Sequence, residues 1–71
     1  VMHMANTSTA LPATTQRAEF LRAQVDGQHI TAFDSQDSAK LSVLAAANAL
    51  LFRPAHSPEQ PIGSVVSYIA V

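Results

Sequence analysis

The sequence predicts an all-α domain of two or three helices, on three observations. Residues 41–52 form an apolar, alanine- and leucine-rich run that Pro54 terminates. Upstream, Ala18, Leu21 and Val25 recur at i, i+3 and i+7, one stripe of a helix. Near the C-terminus, Ile62, Val65, Val66 and Ile69 follow the spacing i, i+3, i+4, i+7.

The first helix is expected over residues 16–25. Thr14 or Thr15 supplies an N-cap, and Asp26-Gly27 supplies a stop in which glycine is free to take positive φ. Phe20 lies off the apolar stripe, while Arg17, Glu19, Arg22 and Gln24 wet the remainder. Residues 28–33 follow as a connector, although Ile30, Thr31 and Phe33 favour extended backbone.

The second helix is expected to start at Asp34 or Ser35, with Asp37 completing an acidic capping box, and to run to Phe52 or Arg53. Its length is about 27 Å at the helical rise per residue. Leu41, Leu44, Ala45, Asn48, Leu51 and Phe52 share one face, and Val43, Ala46, Ala47 and Leu50 the opposite one. A helix apolar on both sides is a buried helix. A short chain can cover one of those faces, so the other is assigned to a second copy. The expected dimer interface is Val43, Ala46, Ala47, Asn48, Leu50 and Leu51. Asn48, in the middle of an apolar face, is either a satisfied core amide or a register device at a two-fold axis.

The third segment, residues 61–71, takes a helical spacing and starts on Pro61, which suits a first turn. Gly63 opposes it by up to ~1 kcal/mol relative to alanine. The alternative architecture is therefore α+β, with short strands at 28–33 and 64–71.

Composition frames these elements. The chain has 71 residues, no cysteine, a formal net charge of −1 and 13% charged residues. A soluble domain typically carries ~25% charge. Disulfides, thiolate metal sites and cysteine nucleophiles are excluded. Val1-Met2-His3 reads as a cloning remnant ahead of a start at Met4, and residues 1–15 as a flexible, uncharged tail before one helical domain at 16–71. Residues 41–71 carry only Arg53 and Glu59 as charges, which marks a C-terminal half built to be covered. No stretch is long and apolar enough for a bilayer, and no signal peptide is present, so the expected location is cytoplasmic without membrane contact.

Candidate chemistry is sparse. His29 and His56 lack ligand spacing and a carboxylate cluster, so no metal, catalytic or cofactor-binding residue is assigned, and no cofactor. Gly27 and Gly63 are the only glycines, which excludes a phosphate loop. Arg17, Arg22, Lys40 and Arg53 are opposed by five carboxylates, which excludes a nucleic-acid footprint.

Asp37-Ser38 at a helix head, with the terminal run from Ile62 to Ile69, loosely resembles an acyl carrier protein. That resemblance implies a phosphopantetheine on Ser38 and a closing last helix. Ala39 in place of a larger apolar residue, the short span from Ser38 to Tyr68 and the missing acidic helix depart from the family pattern.

The sequence thus predicts a small non-enzymatic protein–protein interaction module, an adaptor, inhibitor or regulatory protein acting as a homodimer. Its partner protein is expected on Phe20, Leu21, Arg22, Val25, His29 and Phe33, where aromatic and charged groups coexist. A carrier-like or small-ligand-binding domain is the alternative, and a DNA-binding regulator ranks third.

Overall fold

A computed structural model of the chain describes residues 2–33 and 47–71. They form five strands: β1 (His3–Thr7), β2 (Glu19–Asp26), β3 (His29–Ala32), β4 (Ala49–Arg53) and β5 (Val65–Ala70). The sheet closes on itself in the order β1-β3-β2-β4-β5. There is no helix among the described residues, so the all-α expectation and its α+β alternative are both corrected. No helix among them is long and apolar enough to cross a membrane.

The expected first helix is β2. Leu21-Arg22-Ala23-Gln24-Val25-Asp26 alternates apolar with polar, and that period of two governs the fold. Ala23 is fully buried, with Leu21 and Val25 packed against the core, while Phe20, Gln24 and Asp26 are exposed. Asp26 and His29 close a two-residue hairpin between β2 and β3. Gly27, at the first loop position, has φ +62°, as a II′ turn requires; the expected stop is a reversal between strands.

The expected second helix gives way to β4 over its last residues; the part at 34–46 lies outside the described residues. Ala49, Leu51 and Arg53 face inward and are buried, whereas Leu50 and Phe52 face outward. Ala32, Ala23, Ala49 and Ala70 are register partners across β3, β2, β4 and β5. Barrel width grows with strand number, so a five-stranded barrel is narrow and takes small side chains at many interior positions. Alanine, the best helix former, is used here for its size. Leu51, Ile30, Val66 and Leu11 fill what the alanines leave.

β5 replaces the expected third helix, and β3 and β5 lie within the ranges of the alternative's two strands. The adjacent Val65 and Val66 do not break the strand: Val66 is buried and Val65 is exposed on the outer surface. Gly63, at φ +93°, turns the chain into β5, and its N–H donates to the Thr7 carbonyl at 2.8 Å.

Residues expected as a flexible tail supply β1. It pairs antiparallel with β5, from His3 opposite Tyr68 to Asn6 opposite Val65, and parallel with β3 at Asn6–His29 and Thr7–Ile30. Ala5 and Thr7 are buried. Without β1 the barrel would be open between β3 and β5, so this segment is held by backbone pairing that its bland composition does not advertise.

Two long loops then clasp each other. Leu11 and Gln60 exchange both backbone hydrogen bonds, at 2.8 and 2.9 Å. The Thr14 hydroxyl donates to the Pro54 carbonyl at 2.6 Å and accepts from the Ser57 N–H at 2.8 Å. The His56 N–H donates to the Thr15 carbonyl at 2.8 Å, with His56 itself in the left-handed region at φ +58°.

Candidate functional site

The residues expected to bind a partner do not form one surface. Leu21 and Val25 point into the barrel and pack on its core. Phe20 points outward, half-exposed, with its ring 5.1 Å from that of Phe52 on the neighbouring strand. Arg22 shares that outer side, His29 is exposed beside the hairpin, and Phe33 follows β3, its N–H donating to the Arg22 carbonyl at 3.1 Å. A strand sends neighbours to opposite faces, which divides a set chosen as contiguous.

The described residues of the expected dimer face are divided between the two sides of β4. Val43 and Ala46 lie outside the described residues. Leu51 is fully buried inside its own barrel, and Leu50 is on the outer surface. Ala47 is half-buried ahead of β4.

Asn48 is exposed and fully engaged. Its Oδ1 accepts from the Val25 N–H at 2.7 Å, and its Nδ2 donates to the Val25 carbonyl at 3.0 Å. β4 pairs with β2 only as far as Ala49 opposite Ala23, so the Asn48 amide supplies Val25 with the partner the strand does not reach. The amide is satisfied within the chain, but at an exposed position and not in the core as the first of the two readings had it.

The residue that sequence reasoning passed over is Arg53. It is 1% exposed, on the inward side of β4, and its Nη2 donates to the Pro58 carbonyl at 3.1 Å. Its Nε is buried and has no hydrogen-bond partner. An arginine closing an apolar run reads as a helix-end cation; only the inward direction of odd-numbered β4 residues exposes its position.

Two cavities border the loops. One, of about 260 Å³, lies where β4, β5 and the 54–60 loop meet, against Phe52, Pro58, Gln60 and Val66. The other, of about 280 Å³, lies between Leu11, Pro12, Leu21 and Phe33. Among the described residues no group of three or more His, Cys, Asp or Glu is placed to hold a metal ion. Among the described residues the arrangement offers two loop-bordered cavities and a buried cation, Arg53.

The family model for the MoeA C-terminal region (domain IV) matches residues 4–71. Among solved structures, a molybdopterin biosynthesis MoeA protein from Pyrococcus horikoshii OT3 is similar over 100% of this chain, with a TM-score of 0.84 and 25% identity. A molybdenum cofactor biosynthesis protein from Pyrococcus furiosus is similar over 100% of this chain, with a TM-score of 0.83 and 22% identity, which speaks for the fold alone. The chain spans 18% of the first of those chains and 26% of the second. No curated protein matches.

Proposed function

Because the chain belongs to the family of the MoeA C-terminal region (domain IV), we propose that it acts as the barrel module of a molybdenum cofactor biosynthesis protein, binding and positioning rather than catalysing. The helical adaptor, inhibitor or DNA-binding regulator expected from the sequence is set aside, because the family and the barrel leave no helical interaction module to act. The closing helix that the carrier resemblance implies is strand β5, and Ser38 lies outside the described residues. The small-ligand-binding half of that alternative stands nearest to the family.

The observation that carries the reading is the likeness along the whole chain to the Pyrococcus horikoshii protein, coupled with the family match over residues 4–71. Two features support a binding role over a catalytic one. Long polar loops project from a rigid barrel, the usual place for recognition. Among the described residues no group of three or more His, Cys, Asp or Glu is gathered as a metal-holding cluster. In this reading the cofactor is the protein's cargo, not a resident group, and the work is done in the cytoplasm.

The test is replacement. The C-terminal barrel of the Pyrococcus horikoshii protein is exchanged for residues 4–71 of this chain, in a strain lacking its own MoeA protein. Restored molybdoenzyme activity is the expected result. A folded, soluble chimera that restores none, where the parent protein does, overturns the proposal.

A further inference from the structure

The outward side chains of the barrel are unevenly distributed. Strand alternation sends Met4, Phe20, Leu50, Phe52, Val65 and Ile69 outward, because their neighbours Ala5, Leu21, Leu51, Val66 and Tyr68 belong to the core or pack on it. Register then lines these side chains up. Phe20 is opposite Phe52, Phe52 opposite Ser67, and Ser67 opposite Met4, a row that crosses β2, β4, β5 and β1. Arg22, Leu50 and Ile69 make the next row. Met4, Phe20 and Val65 are at least half exposed, and the rings of Phe20 and Phe52 stand 5.1 Å apart. Elsewhere the outer surface is polar: Gln24 is opposite Thr31, and Asp26 is opposite His29, with Asn6 beyond it.

The apolar side is also concave. The cavity of about 260 Å³ opens on it, with Phe52, Val65 and Ser67 on the strand wall and Pro54 and Pro58 on the loop wall. Val65 borders a second hollow, of about 190 Å³, with Met4 and Asn6. A contiguous apolar surface of this kind marks an interaction site.

Its extent selects the occupant. This handful of apolar side chains is far short of the ~20–30 residues a side that a stable complex of separate proteins, or of two copies, requires. Interfaces between domains of one polypeptide can be as small as ~600 Å². Tethering keeps the second surface at a high effective concentration, so less contact suffices. The similar Pyrococcus chains are long enough to supply that surface, since this chain spans only 18% and 26% of them. Building on the reading of the barrel as a module of a molybdenum cofactor biosynthesis protein, we propose that this face docks onto an apolar surface of another domain of that protein. A protruding apolar side chain of that domain fills the hollow between Phe52, Pro58 and Val65. The polar side, at Gln24, Asp26, His29 and Thr31, stays in water.

Hydroxyl-radical footprinting tests this by comparing the whole free chain with the chimera in which residues 4–71 replace the barrel of the Pyrococcus horikoshii protein. Phe20, Phe52 and Ile69 are expected to react several-fold more slowly in the chimera, and His29 at an unchanged rate. Phe20→Lys in the chimera should return Phe52 and Ile69 to the free-chain rate, while Thr31→Lys leaves them protected. Should Phe20→Lys fail to fold, Val65→Lys takes its place. Equal labelling of the face in both proteins overturns the docking, as does protection of His29 in place of Phe52. Protection that grows with the concentration of the free chain overturns it too, because a second copy is then the occupant. The footprint is read separately from molybdoenzyme activity. An inactive chimera with a protected face upholds the docking and overturns the module's role, and an active chimera with an open face does the reverse.

Discussion

Leu51 and Arg53 are two residues apart on β4, face the same interior and are equally hidden, at 0% and 1% exposure. Their surroundings differ completely. Leu51 is set between Leu21 and Tyr68 in register, within the apolar core. Arg53 meets a loop carbonyl, with Thr14, Pro54 and Ser57 tied together close by. One part of the interior is held by dispersion and water exclusion, the other by hydroxyls and carbonyls around a charge. Equal burial therefore does not mean equal contribution to stability.

That contrast can be broken by substitution, most strongly on the apolar side. Leu51→Ala removes a fully buried side chain from a narrow barrel whose backbone cannot collapse inward, and is expected to destabilise by about 2–5 kcal/mol. Urea denaturation measures it, and a loss much smaller than this would mean the core is loosely packed. Arg53→Met should act with opposite sign. Replacing the guanidinium by an apolar chain of similar length is expected to stabilise by about 1–4 kcal/mol. A comparable loss would show that the cation is better satisfied than its hydrogen bonds suggest.

Two smaller effects sharpen the comparison. Thr14→Val keeps the shape but deletes the hydroxyl shared by Pro54 and Ser57. Thr14 is buried, so those loop groups lose a partner where water is scarce, at an expected cost of about 1–3 kcal/mol. Amide hydrogen exchange should show Ser57 losing protection before the β2–β4 ladder does. Asn48→Ala deletes two hydrogen bonds to Val25, but at an exposed position where water replaces them. The expected cost is about 0.5–1.5 kcal/mol, read from the same denaturation curves. An effect as large as that of Leu51→Ala would point to a role for Asn48 in placing β4.

Parts of this architecture are legible in the sequence. The alternation from Leu21 to Asp26, with Gly27 after it, is a strand-and-hairpin signature, but the coincident spacing of Ala18, Leu21 and Val25 competes with it. Six residues are too few for periodicity alone to separate the two. The alanines at 45, 46, 47 and 49 speak for a helix locally, and only the width of a closed barrel explains Ala49 as an interior strand residue. Nothing local marks β1: the Met4–Thr7 stretch earns its strand from partners at 29–30 and 65–67. The candidate site suffers from the same non-locality, because Arg53 becomes notable only when its neighbours from β5 and the 54–60 loop are in place.

The sequence by itself determined the small size, the absence of disulfide chemistry, the reversal at Gly27 and the shortage of charge in residues 41–71. It also marked Asn48 as a polar group needing partners. Tertiary structure alone decided which residues are covered: of those described in 47–71, Ala49, Leu51, Arg53 and Val66 are buried, while Ile62, Val65 and Val71 are exposed. Strands that pair His3 with Tyr68, and Asn6 with both His29 and Val65, close a barrel whose hydrogen bonds join residues far apart in the chain. Helical hydrogen bonds are written in spacings of three and four, whereas sheet pairing is written between distant segments. Which face of a strand is inside, and whether a cation such as Arg53 is enclosed, is settled only when the last of those pairings forms.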